Sequence, residues 1–142
     1  MDGVLWQGCV GRIVTWMFRL VLNISCVRDD NSYMSDGTDL RTLVSDLAEL
    51  LDSGKERAQA GIVRDALRGP KEILDEFLVS NELWGGSGSI ADQAFVDDKE
   101  RRRRLEELLI RVGTLQLDAG RINTRTKMWV DAFEHWKQSG LR

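Results

Sequence analysis

The sequence predicts an all-α fold: a bundle of four or five helices with a glycine-rich loop between the third and fourth. Three observations predict it. From residue 39 onward, apolar side chains recur at helical spacing. One proline is present in 142 residues, and the only stretch that reads even weakly as an alternating strand is 90–96. Five tryptophans supply bulky anchors for a core.

Each helix has its own signals. Over 39–52, Leu40, Leu43, Val44, Leu47, Leu50 and Leu51 share one face, and Asp36 or Thr38 stands where a cap belongs. Ser53-Gly54-Lys55-Glu56 has the spacing of a capping box and predicts a second helix over 55–68. Its inward residues are expected to be Ala58, Ile62, Val63, Ala66 and Leu67, with close packing at Gly61. Gly69-Pro70 ends that helix and opens a third over 70–82, burying Ile73, Leu74, Phe77 and Leu78. Asp97 is placed to cap the longest helix, whose stripe is Leu105, Leu108, Leu109, Val112, Leu115, Ala119 and Ile122. The last helix, 125–138, carries Trp129, Ala132, Phe133 and Trp136.

Residues 1–33 read as a different text. They are strongly apolar and hold no acid between Asp2 and Asp29. Arg12 and Arg19 interrupt any membrane span or secretion signal. Arg12, Thr15, Arg19 and Asn23 fall on one narrow helical face, the pattern of a helix lying on a membrane, but two arginines are a thin basic face for it. The preferred reading is an extension from an upstream start, with the native domain over 34–142. An extra core helix is the remaining alternative. The segment is expected to contribute little to the fold.

Composition narrows the function. The 20 Lys and Arg stand against 23 Asp and Glu, a net charge of −3, which provides no general field for nucleic acid. A single histidine and two cysteines do not assemble a Cys/His metal site, and no cofactor or metal is expected. From Met34 on there is no cysteine, so a cytoplasmic setting is expected. Arg101-Arg102-Arg103-Arg104 looks basic but winds around the whole helix. Each arginine has an acid four residues away: Asp97, Asp98, Glu107 and Glu100, with Glu106 also in reach of Arg102. One of these arginines is nevertheless placed to lean over the glycine loop. His135 has no catalytic partner at a telling spacing and reads as a surface residue.

That loop, Trp84-Gly85-Gly86-Ser87-Gly88-Ser89, followed by Asp92, carries the first candidate site. Several backbone N–H groups turned to one point make a nest for phosphate or carboxylate. The plain structural reading is a tight reversal, with Asp92 accepting from loop amides and Gly86 or Gly88 at positive φ. The second candidate is apolar. At ~100° per residue from Leu105, Ile110 and Leu117 fall roughly 120–140° round, away from the main stripe. They need a second cover: the last helix with Trp129, Phe133 and Trp136, another subunit, or a partner.

Residues 83–96 resemble a family of small bacterial proteins with an aromatic-Gly-Gly-x-Gly-Ser-x-x-Asp segment, matched by Trp84, Gly85, Gly86, Gly88, Ser89 and Asp92. Residues 40–115 are similar more loosely. Some look-alikes resemble regulatory or toxin-immunity partners. With no nucleophile–base pair, metal cluster or phosphate-binding lysine motif in the sequence, the expectation is a non-catalytic interaction protein with a protein partner, self-association as a homo-oligomer remaining open. The alternatives are a phosphate or small-molecule binder using 85–89, and membrane-surface association through 12–27.

Overall fold

In the computed structural model, the chain divides into Met1–Ser35 and Asp36–Arg142. The structure describes the backbone of residues 31–141 and the side chains of residues 39–141, so the account concerns the second unit. What was expected of residues 1–30 lies outside it. All described elements are helices: α1 Asn31–Asp52, α2 Arg57–Arg68, α3 Lys71–Leu78, α4 Asn81–Trp84, α5 Ile90–Gln93, α6 Lys99–Ala119 and α7 Thr126–Ser139. The bundle is all-α. None of the helices among the described residues is long and apolar enough to cross a membrane.

The core follows much of the predicted faces of α1, α3 and α6; on α7 the expectation is corrected, since Phe133 is buried with Thr126 and Val130 while Trp129, Ala132 and Trp136 are half-buried. Leu43, Val44, Leu47 and Leu51 of α1 meet Leu74, Phe77 and Leu78 of α3 and Leu105, Leu109 and Val112 of α6. On the second helix the expectation is corrected. Ala60, Val63 and Ala66 go inward, while Ala58 and Ile62 are exposed, and nothing lies within 4 Å of a Cβ on Gly61. Ile73 is likewise exposed, packing back on Gly69. Gly120, at φ +70°, ends α6 before Ile122, and Ala119, the last helical residue, is exposed, so neither joins the stripe.

Three helix starts differ from expectation, each for a stated reason. α1 is already helical at Asn31, so Asp36 and Thr38 are interior. Ser53 and Glu56 form no capping box. The Ser53 hydroxyl donates to the Leu50 carbonyl (2.7 Å), and the Glu56 carboxylate accepts from the Phe95 amide (3.2 Å). Phe95 is the one non-glycine residue at positive φ, 58°, among the described residues. Its ring lies where a Cβ on Gly54 would stand, 2.5 Å from Cε1. The segment 53–56 is therefore a seat for Phe95, and the strained backbone there is held by a tertiary bond. Asp98, not Asp97, caps α6, accepting the Arg101 amide at 3.1 Å. That bond, then the Arg101 guanidinium beside it, holds the Asp98 carboxyl below the ordinary aspartate value.

The expected third helix breaks in two. Val79 ends α3, and Ser80 starts α4 by accepting the Leu83 amide. Asn123 in the α6–α7 turn fastens this break, donating to the Val79 carbonyl (2.9 Å) and Asn81 Oδ1 (3.1 Å). Beneath it, Gln116 and Trp84 share a buried network. The indole donates to the Leu78 carbonyl and Gln116 Oε1, and the Gln116 amide donates to Leu78 and Arg121 carbonyls. Stretch 90–96, read weakly as a strand, contains the one-turn helix α5.

Candidate functional site

The glycine loop joins α4 to α5, and the carbonyls of Trp84, Gly85 and Gly86 are committed to the protein. The Ser89 hydroxyl donates to the Gly85 carbonyl (3.0 Å), and the Ser89 amide to the Gly86 carbonyl (3.0 Å). Trp129 of α7 lays its indole N–H on the carbonyls of Trp84 (3.0 Å) and Gly85 (3.3 Å). Gly88 takes φ +94°, as the third position of a type II turn over 86–89 requires. Ser89 then caps α5, accepting the Asp92 amide at 3.2 Å. This corrects the role expected of Asp92: its carboxylate accepts no loop amide, because Ser89 already fills the capping position.

The amides are a different matter. Among the described residues, nothing accepts from the N–H groups of Gly86, Ser87 or Gly88. Ser87 and Gly88 are exposed. Over Gly86 lies Arg125, whose Nη1 is 2.6 Å from where a Cβ would stand. Only glycine leaves room for that guanidinium. Asn123 sets Arg125 there by accepting its amide through Oδ1 at 2.9 Å. The Arg125 guanidinium has no acid or acceptor of its own among the described residues. Three unpaired amides and one unpaired cation thus border the same turn.

None of Arg101–Arg104 is seen to donate to the glycine loop, as one of them was expected to; Arg102 turns inward onto 91–94 just beyond it, and its donors are spent. It is buried, pairs with Glu106 at 2.8 Å, and donates to the carbonyls of Ala91 (2.8 Å), Ala94 (3.0 Å) and Asp92 (3.4 Å). Its guanidinium also stacks 5.6 Å over Phe133. Of the other expected pairs, Glu100–Arg104 forms (3.4 Å), Arg101 pairs with Asp98 (2.6 Å), and Glu107 goes to Lys137 (3.3 Å).

The apolar candidates are partly core. Phe133 is fully buried, so it cannot be a surface anchor; Trp129 stacks on it at 5.3 Å and Trp136 tilts onto it at 5.7 Å. Both tryptophans are half-buried, and Trp129 serves the loop. Ile110 and Leu117 are half-buried against the core. Ile110 lines a pocket of about 250 Å³ with Phe133 and Lys137 of α7. His135 is exposed. A second, open groove of about 520 Å³ lies between α1 and α6, over Leu50 and Leu108. The residues that sequence reasoning missed are Arg125, Asn123 and Gln116. Asn123 follows the end of a stripe, a common turn signal, but its two bonds to Val79 and Asn81 depend on tertiary placement.

Compared with family models, with curated proteins and with solved structures, the chain shows no match. The resemblance of 83–96 rests on its own residues.

Proposed function

We propose that this chain is a non-catalytic recognition protein that takes an anionic group, a phosphate or a carboxylate, at the turn 86–89 beneath Arg125. One observation carries the reading. The carbonyls of Trp84, Gly85 and Gly86 are bound by Ser89 and Trp129, while the amides of Gly86, Ser87 and Gly88 and the Arg125 guanidinium find no partner among the described residues. Oxyanions accept from several N–H groups at once, and a planar guanidinium adds two parallel donors. Exposed N–H donors converging beside a cation favour an oxyanion, because charge-assisted hydrogen bonds are the stronger ones. Nothing around the turn supplies a nucleophile and base, which makes recognition, not turnover, the supported role. The reading carries with it a protein partner bearing the anion, in a regulatory or immunity-type part, and a cytoplasmic setting.

The test is a titration of the ¹⁵N-labelled chain with inorganic phosphate and with acetate. The amide resonances of residues 86–88 are expected to move in a saturable way, and the melting temperature to rise as ligand binds the folded state. Arg125→Ala should remove most of the response, and Gly86→Ala should weaken it by displacing the guanidinium. Unmoved resonances at 86–88 with both anions would overturn the reading.

A further inference from the structure

We infer that the open groove between α1 and α6 is a self-association face, covered by the same groove of a second copy on a two-fold axis running along it. The two helices run antiparallel: Ser53 at the end of α1 accepts from Arg101 at the start of α6, at 3.3 Å. From there Leu50 lies beside Arg104 and Leu108, and Asp46 lies toward Arg111, all lining the groove.

The walls differ in charge. The α1 wall presents Asp46 and Glu49, both exposed and neither paired among the described residues. On the α6 wall stand Arg104 and Arg111. Arg111 has no partner among the described residues, and Arg104 holds only the exposed Glu100 at 3.4 Å. Glu107, also on that wall, is neutralised by Lys137. The floor between them is Leu50 and Leu108, each half-buried. Acid and base face each other across the groove without joining, so the groove itself separates them.

Such a pattern is its own complement in one orientation. A two-fold axis along the groove keeps the position along each helix and exchanges the walls. Asp46 of one copy then meets Arg111 of the other, and Glu49 meets Arg104. Each such contact occurs twice, as an isologous interface requires. The leucine floors meet in the middle. An axis across the groove would set acid against acid, so the charges also select the register. A foreign helix would need bases on one flank and acids on the other, which a second copy already carries. The face is separate from the anion site, and its failure would leave that reading untouched.

The experiment is sedimentation of the full chain over a range of concentration and salt. The parent is expected to dimerise at low salt and to dissociate as salt screens the pairs. Asp46→Arg and Arg111→Glu should each weaken the dimer by about tenfold or more, since each sets like charges together twice. Mixing the two variants should restore association. In the mixed dimer the two reversed positions face each other with opposite charge, and the second contact keeps the parent's Asp46 and Arg111. Both positions are exposed, and circular dichroism checks that the variants fold. A parent that stays monomeric at low salt overturns the proposal. So does a dimer that ignores both reversals, or a mixture that fails to reassociate; any other face would survive the reversals and gain nothing from mixing.

Discussion

Replacing Gly113 by alanine tests a close approach in the bundle, where Val130 and Thr126 of α7 meet α6. Alanine is favoured over glycine inside a helix by about 0.5–1 kcal/mol, so propensity alone argues for stabilisation. Geometry argues against it. A Cβ on Gly113 would stand 2.3 Å from Val130 Cγ2, 3.1 Å from Trp84 Cη2 and 3.6 Å from Thr126 Cγ2. None of these can yield easily. Val130 is β-branched on a helix and 4% exposed, and Trp84 is fully buried with its indole held by Leu78 and Gln116. The helices must therefore part, and overpacking of this kind costs about 1–3 kcal/mol. Net of propensity, Gly113→Ala should lose roughly 0.5–2 kcal/mol, read by urea unfolding with the slope unchanged. Gly61→Ala is the internal control. It sits in α2 with open space at its Cβ, and should gain up to about 1 kcal/mol. Val130→Ala should also make Gly113→Ala less costly, a coupling of at least about 0.5 kcal/mol. If Gly113→Ala is as stable as the parent while Gly61→Ala gains, the steric argument is wrong.

Two further predictions follow from charges. Arg102→Ala removes the 2.8 Å partner of the buried Glu106 carboxylate and the donors to three carbonyls, so it should cost about 3–5 kcal/mol, whereas Arg102→Met combined with Glu106→Leu should recover much of that in thermal unfolding. Burial raises the Asp75 carboxyl, but hydrogen bonds from Lys71 and Arg121 outweigh it and hold the group below its ordinary value. A depressed carboxyl contributes stability above its unfolded value and loses it as pH falls through the folded one. Asp75→Asn should therefore flatten the loss of urea resistance below about pH 4, and an unchanged acid limb would refute this assignment.

Periodicity made most of the helices legible and left their joints illegible. It states which residues share a face, and α1, α6 and α7 each have one dominant apolar face to bury. On α2 the apolar residues cover too wide an arc. Ala58 and Ile62 compete with Ala60 and Val63, and only the neighbours decide that the smaller pair goes inward. The capping-box motif at Ser53 and Glu56 is locally sound, yet a distant residue, Phe95, takes the carboxylate. Val79-Ser80 could continue a helix; the break there is fixed from Asn123, far along the chain. The glycine loop was legible as a turn with positive φ at Gly86 or Gly88, and the structure places it at Gly88. Its cation was not, since Arg125 reaches Gly86 only through a turn that the α6 stripe does not announce.

The arginine run shows why. Four consecutive residues on a helix point about 100° apart, so the bundle can bury only one of them. What selects Arg102 is an unmet demand on the other side of the core. A one-turn helix such as α5 cannot satisfy its own last carbonyls, and those of Ala91, Asp92 and Ala94 face inward without chain partners of their own. A buried guanidinium meets that demand with several donors in a fixed fork, and Glu106 balances its charge. Short helices around a glycine turn thus consume the nearest arginine for structure. An anion at the same turn needs a cation from elsewhere, and the α6–α7 reversal, fastened by Asn123, brings Arg125 to that place.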